Sequence, residues 1–335
     1  MGAYIVKRVI NSIVLLFFIS VFSFFLIQLP PSDIIKANVD SIVEDADLSE
    51  EQRQELIDVW TRRYNLDRPP VEQYLSWIGK IISKGDFGFS ISLDASVNTI
   101  LKERLPLSVG LAFFTLFGFS LGIGIPIGIY SATRPNSLAD RFFTFIGFIG
   151  RAMPNFLLAL ILMILLYKWF GIPMGGLFSP QYKDAAWSLG KVFDLAAHLI
   201  APVIVIGTAT TAGTIRIVRG ALLDELGKEY VRVARSKGNS GLQVLKYPIR
   251  IALNPVVAGI GWSLPFLIGG MTLTAIVMNV PVLGPVLYQG LLSQDMYLAG
   301  SIFLILSTLT VFGTLVSDVL LVFLDPRISY EKRGL

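Results

Sequence analysis

The chain has 335 residues, of which 53% are hydrophobic and only 16% charged, with a formal net charge of +4. It contains no cysteine, which excludes disulfides, zinc-thiolate clusters and thiol nucleophiles. Its uncharged runs are longer than a soluble core helix requires, so lipid is the expected solvent. The basic excess lacks a polar face where Lys and Arg interleave with aromatics, so no nucleic-acid partner is expected.

In chain order, residues 1–29 carry Lys7 and Arg8 and then an apolar run too long for the roughly 7–15-residue core of a signal peptide, which reads as a retained first span over 9–29. Residues 30–105 form a polar insert with fourteen acidic and nine basic side chains. Within it, Ser49 and Gln52 form a capping box, followed by Leu56, Val59 and Trp60 at helical spacing until Asn65 and Pro69-Pro70. Tyr74, Trp77, Ile78 and Ile81 predict a second amphipathic helix lying at the membrane surface. Residues 106–335 form a core domain with five further spans, at 107–132, 142–170, 195–215, 254–280 and 298–324. Gly118/Gly122, Gly124/Gly128 and Gly259/Gly261/Gly269/Gly270 supply small-residue faces for close helix approach.

Lys and Arg translocate poorly, so their distribution orients the spans. Lys7 and Arg8, Arg134 and Arg141, and the tail residues Arg327, Lys332 and Arg333 all fall on one side. The connection 216–250 joins them with eight basic and three acidic residues. That side is the cytoplasm, leaving 30–105 and the loop 281–297, where Asp295 is the single charge, outside. The expected fold is an all-α integral membrane protein with about six transmembrane helices, both termini cytoplasmic and a partly helical extracytoplasmic insert.

Catalytic patterns are missing: there is no phosphate-binding G-x-x-x-x-G-K-[ST], no H-E-x-x-H and no G-x-S-x-G. No catalytic residue, metal site or cofactor is expected in this chain. The single histidine, His198, near the outer end of the fourth span, reads as a structural polar residue. Arg151 is expensive facing lipid and must face a cavity, a partner or the bundle, or else the third span begins after it. With Pro154 and Asn155 it marks a candidate translocation path, weighed against a structural ion pair. Asp318 is expected to pair with a basic residue at the cytoplasmic interface.

In the connection 216–250, Leu222, Leu226, Tyr230 and Val233 recur on one face of a short helix, with Lys228, Arg232 and Arg235 on the others and Gly238-Asn239 as its stop. Such an element is either a solvated loop kept basic for topology or a helix that docks in a partner's groove.

The stretch Glu229-Tyr-Val-Arg-Val-Ala-Arg-Ser-Lys-Gly238, followed by 245–255, resembles the signature loop of binding-protein-dependent ABC importer permeases of the dipeptide/oligopeptide/nickel group. The resemblance extends over nearly the whole chain. It includes Pro30-Pro31-Ser-Asp33, Leu66-Asp-Arg-Pro69, Gly85-Asp-Phe-Gly-Phe-Ser90, Glu103-Arg-Leu-Pro106, Pro154-Asn-Phe156 and Asp325-Pro-Arg-Ile328. It implies a bacterial or archaeal cytoplasmic-membrane permease subunit forming half of a translocation path, with a second homologous permease, two cytoplasmic ATPase subunits that bind ATP and Mg, and an extracytoplasmic solute-binding protein. It carries the coupling role to Leu222, Asp224, Glu225, Leu226, Glu229, Tyr230, Arg232, Ala234, Lys237 and Gly238. Arg232 stands where the broader importer motif has Glu. Ser179-Pro-Gln-Tyr182 and Ser293-Gln-Asp-Met-Tyr-Leu-Ala299 resemble members assigned to oligosaccharide uptake, so the resemblance leaves peptides and oligosaccharides as cargo. The rival classes are an ion-coupled secondary transporter, for which paired intramembrane charges are expected, and a lipid-acting enzyme, for which a convergent acid, base or metal set is expected.

Overall fold

The structure is a computed structural model that describes residues 2–28, 49–64, 68–171 and 175–324. The expected features at 30–33, 66–67 and 325–328, the tail residues Arg327, Lys332 and Arg333, the stop at Asn65, and the side chains of Leu56 and Trp60 lie outside the described residues. The chain divides into two compact units, one of residues 1–12, 107–285 and 309–335, the other of 13–106 and 286–308. Among the described residues, four helices are long and apolar enough to cross a membrane, or up to six if two bent helix pairs each count as one span.

In the second unit, helix α1 (Gly2–Gln28) contributes its later part. Helix α2 (Glu50–Tyr64) begins with the expected capping box: Gln52 N donates to Ser49 Oγ at 3.3 Å and Ser49 N to Gln52 Oε1 at 2.9 Å. Helix α3 (Pro70–Lys84) is strongly amphipathic as read, but its apolar face is covered by protein. Trp77 is buried with Phe24, Ile27 and Leu304, and Tyr74, Ile78 and Ile81 pack around them. The aromatic face thus packs within the chain, whereas Val71, Leu75 and Ile82 of the same helix stay exposed and are the side chains left for a membrane surface.

A hairpin that periodicity did not announce follows, with β1 (Phe89–Ser90) antiparallel to β2 (Ala95–Ser96). Its anchor is Asp295, buried just ahead of the helix Met296–Leu324. Asp295 Oδ2 accepts from Ser90 Oγ at 2.6 Å, Ser92 N at 3.0 Å and Ser92 Oγ at 3.0 Å, while Oδ1 accepts from Leu298 N at 3.2 Å. Two segments read separately as motifs, 85–90 and 293–299, thus meet at one carboxylate. Asp295→Ala strips a helix cap and leaves a buried serine hydroxyl without its acceptor, and is expected to lower stability by about 2–3 kcal/mol, measured as a fall in melting temperature in detergent.

The second span is longer than 107–132. Helix α4 (Val97–Phe113) runs through a π-helical segment (Phe114–Leu121) into α5 (Gly122–Thr133), 37 residues without a break. The central helix α8 (Leu189–Leu226) is also longer than its expected 195–215. Its 38 residues extend about 57 Å at 1.5 Å each. The expected span stops before Arg216, yet charged residues leaving lipid continue a helix without penalty.

Helices α5 and α8 touch through glycine. A Cβ on Gly124 would meet Thr214 Cβ at 2.9 Å, and one on Gly128 would meet Val218 Cβ at 2.8 Å. Gly261 and Gly313 serve a second close crossing, whereas Gly118, Gly269 and Gly270 face open space, so only part of the expected small-residue faces is used for packing. Gly128→Leu is expected to cost about 1–3 kcal/mol by overpacking, read as a lower melting temperature.

The expected third span 142–170 is two helices, α6 (Leu138–Ala152) and α7 (Asn155–Phe170), bent by 106°. Pro154 disfavours helical geometry at the residue before it, and Met153 is extended at φ −83°, ψ 128°. The expected fifth span 254–280 is likewise interrupted. Helix α9 (Glu229–Ser236) and α10 (Leu242–Ala252) precede α11 (Asn254–Gly270), which ends at the helix-poor pair Gly269-Gly270 before the short α12 (Thr272–Val277). Helix α13 (Leu283–Leu292) occupies the loop read as irregular, and α14 (Met296–Leu324) is the last span. Asp318 pairs with Arg8 at 3.1 Å, as its position suggested.

Candidate functional site

The predicted short helix is real but its apolar face is not the one read from spacing. Leu222 and Leu226 belong to α8, which stops before Gly227 and Lys228, and α9 starts afresh at Glu229. A 3.6-residue pattern carries through such a break unseen. Leu222 is fully buried against Ala132 and Ala252, and Leu226 packs on the same cluster, so neither is offered to a partner. On α9, Val231 faces inward at 1% exposure while Val233 faces outward at 51%, so Val233 does not share a face with Leu222 and is open to a partner.

The connection between the two helices is braced by one carboxylate. Glu225, 7% exposed, accepts from Tyr230 Oη at 2.7 Å and pairs with Lys228 Nζ. Tyr230 also stands edge-on to Tyr247 of α10, with ring centroids 5.4 Å apart. Burial, and then its hydrogen bond to the Glu225 carboxylate, raise the Tyr230 phenol well above its ordinary pKa, so it remains a donor throughout the physiological range. Glu225 is therefore an internal strut, while Asp224 beside it is exposed at the end of α8. Tyr230→Phe leaves one oxygen of a buried carboxylate short of a donor. It is expected to loosen α9 by about 1–3 kcal/mol, read as faster amide exchange over 229–236 with exchange in α5 unchanged.

The spacing of Ala234 and Gly238 has a plain physical use. Gly238 lies at φ +84°, its N–H bonds Arg235 O at 2.9 Å, and Asn239 N–H bonds Ala234 O at 3.3 Å. These are the two bonds of a Schellman stop, which needs glycine in the left-handed position. Glu229 in the first turn and Arg235 in the last complement the helix dipole. Glu229 and Arg232 pair along the surface, and with Val233, Arg235, Ser236 and Lys237 they form an exposed, mainly basic face on a helix held from behind. Arg250 of α10 reaches the last described turn of α14, donating through Nη2 to Phe323 O at 2.6 Å and through Nε to Leu324 O.

Arg151, Pro154 and Asn155 fall together at the α6–α7 bend. Arg151 is in the last turn of α6, Pro154 precedes α7 and Asn155 opens it. Arg151 lines a cavity of about 280 Å³ between α6 and α8 that also receives Arg216 and Arg219. His198 is buried, and its Nδ1 lies 2.8 Å from Asp194 O, the structural role expected of it.

One ion pair escaped the sequence reading. Asp140, at the start of α6, accepts from Arg219 Nε at 2.8 Å and Nη2 at 2.9 Å, and from Asn136 N at 2.9 Å. A signal was present, because Asp140 is the sole carboxylate between Glu103 and Asp184 and so an obvious partner for a nearby arginine.

Comparison with known proteins agrees with this architecture. Residues 124–330 match the binding-protein-dependent transport system inner membrane component, and residues 1–112 match the N-terminal part of such membrane components. The chain is 35% identical to the oligopeptide transport system permease protein AppB of Bacillus subtilis over 98% of this chain and 100% of that one. It is 29% identical to OppB, the oligopeptide permease of Haemophilus influenzae, over 98% and 99% of the two chains, and 29% identical to the dipeptide permease DppB of Escherichia coli over 80% and 83%. An inward-facing structure of the MetNI methionine ABC transporter shares the fold, with a TM-score of 0.52, 19% identity and coverage of 68% of this chain and 96% of that one. The chain is a multi-pass bacterial inner-membrane protein and belongs to the binding-protein-dependent transport system inner membrane component family.

Proposed function

We propose that the chain is the permease subunit of an ATP-driven peptide importer and forms half of its translocation path. A second homologous permease completes the path, two cytoplasmic ATPase subunits bind ATP and Mg, and an extracytoplasmic solute-binding protein delivers cargo. Oligopeptides are the favoured cargo over oligosaccharides, because relatives such as AppB and OppB, matched over nearly their whole length, are named for oligopeptides.

The observation that carries this reading is the exposed face of α9 joined stiffly to α8. Closure of the ATPase pair on ATP pulls α9. The Glu225 contacts with Lys228 and Tyr230 pass that displacement to a 38-residue helix against which α5 and α6 pack. ATP thereby biases the same inward–outward equilibrium that cargo biases from the other side. On this reading the bend at Met153–Pro154 lies on the path, with Asn155 at its edge.

Deletion of residues 228–238 tests the proposal. The truncated chain is expected to insert in the membrane and to lose the ATPase subunits on affinity purification; retention of those subunits contradicts it.

A further inference from the structure

The cavity between α6 and α8 holds more positive charge than the described residues neutralise. The two helices run antiparallel in a fixed register: Asp140 pairs with Arg219, Gly147 packs on Ala212 and Gly150 on Thr208. Arg219 is fully engaged by Asp140. Arg216 lies one turn away on α8, and a methyl group built on Gly213 would lie 3.9 Å from Arg151 Nη1, so Arg151 extends back along α8 toward Arg216. Among the described residues neither Arg151 nor Arg216 makes an ion pair. The remaining walls are mainly apolar, including Phe143, Phe148 and Ile215 beside Thr144, and Phe145, one turn from Phe148 on α6, and Ile217, next to Arg216 on α8, are exposed.

Two unneutralised guanidinium groups converging on an aromatic cleft call for an oxyanion attached to an apolar body. The positive-inside distribution places this end of α8 at the cytoplasmic leaflet, where phosphate headgroups carry that charge and acyl chains lie alongside exposed phenylalanines. Guanidinium groups suit phosphate oxygens through their planar array of donors. We propose that the cavity is a binding site for one anionic phospholipid, its phosphodiester held by Arg151 and Arg216 and its acyl chains lying along Phe148 and Phe145. Asp140 fixes Arg219 as one wall, so the lipid bridges α6 to the helix that leads into α9. The inference rests on the membrane orientation and not on the ATPase-docking role.

The test uses the assembled transporter, delipidated in mild detergent and returned to nanodiscs of phosphatidylglycerol, phosphatidylcholine or an equal mixture. From the mixture, the washed complex is expected to retain one phosphatidylglycerol per copy of this chain, about tenfold over phosphatidylcholine, by mass spectrometry. Arg151→Gln with Arg216→Gln is expected to erase that preference. Arg151→Gln alone, at an exposed position, is expected to reduce it severalfold and keeps the test open if the double variant fails to assemble. Equal retention of the two lipids, or unchanged preference in the variants, overturns the proposal. Displacement of the retained lipid by millimolar inorganic phosphate would mark a free-anion site. Displacement by a short peptide with a free C-terminal carboxylate, but not by its amide, would mark a cargo site. Either result overturns the lipid assignment.

Discussion

Val233→Asp combined with Arg235→Glu is expected to leave the chain folded and inserted while removing the ATPase subunits from the purified complex. Both side chains are on the exposed face of α9, away from the Glu225 contacts, and the Schellman stop uses only the backbone carbonyl of Arg235, so the helix end keeps its two bonds and loses only a weak dipole interaction. The substitutions replace an exposed apolar side chain and a cation with two carboxylates. If these side chains are central to docking, the loss reaches about 2 kcal/mol or more, roughly thirtyfold in affinity. Pull-down of ATPase subunits at graded concentration measures it. Retained binding with lost transport would place α9 in coupling but not in attachment.

Asp140→Asn is expected to have the largest effect on the fold. The carboxylate is buried, is held by two bonds from Arg219 and one from Asn136 N, and joins the start of α6 to the end of the central helix. The amide removes the charge but not the volume, leaving Arg219 near an apolar interface without its counter-ion. Breaking one member of such a pair costs about 3 kcal/mol, the lower part of the usual range because Arg219 keeps some solvent access. A fall in melting temperature in detergent measures it, and the double change Asp140→Asn with Arg219→Gln should recover part of the loss. If the single variant is as stable as wild type, α6 is anchored elsewhere.

Spans were legible where one helix has one environment. The first and last follow hydropathy to within a few residues at their inner limits, the Ser49–Gln52 capping box is short-range chemistry, and a basic partner for Asp318 was legible although its identity as Arg8 was not. The rest depended on partners distant in sequence. Periodicity placed Leu222 to Val233 on one helix because Gly227 disturbs no hydrophobic count, yet the chain restarts there and turns Val231 inward instead. Hydropathy joined 142–170 because both halves are apolar, although Pro154 forbids a straight passage. The Asp295 anchor and the Asp140–Arg219 pair join residues about 200 and 79 positions apart, and no local pattern reports such meetings.

The absence of cysteine makes the central claim directly measurable. A single Val233→Cys chain, assembled with its partners, can be treated with a membrane-impermeant maleimide in vesicles of either orientation. Labelling only in inside-out vesicles, and protection when the ATPase subunits are present, is the predicted result. Labelling in right-side-out vesicles, or equal labelling with and without those subunits, would contradict it.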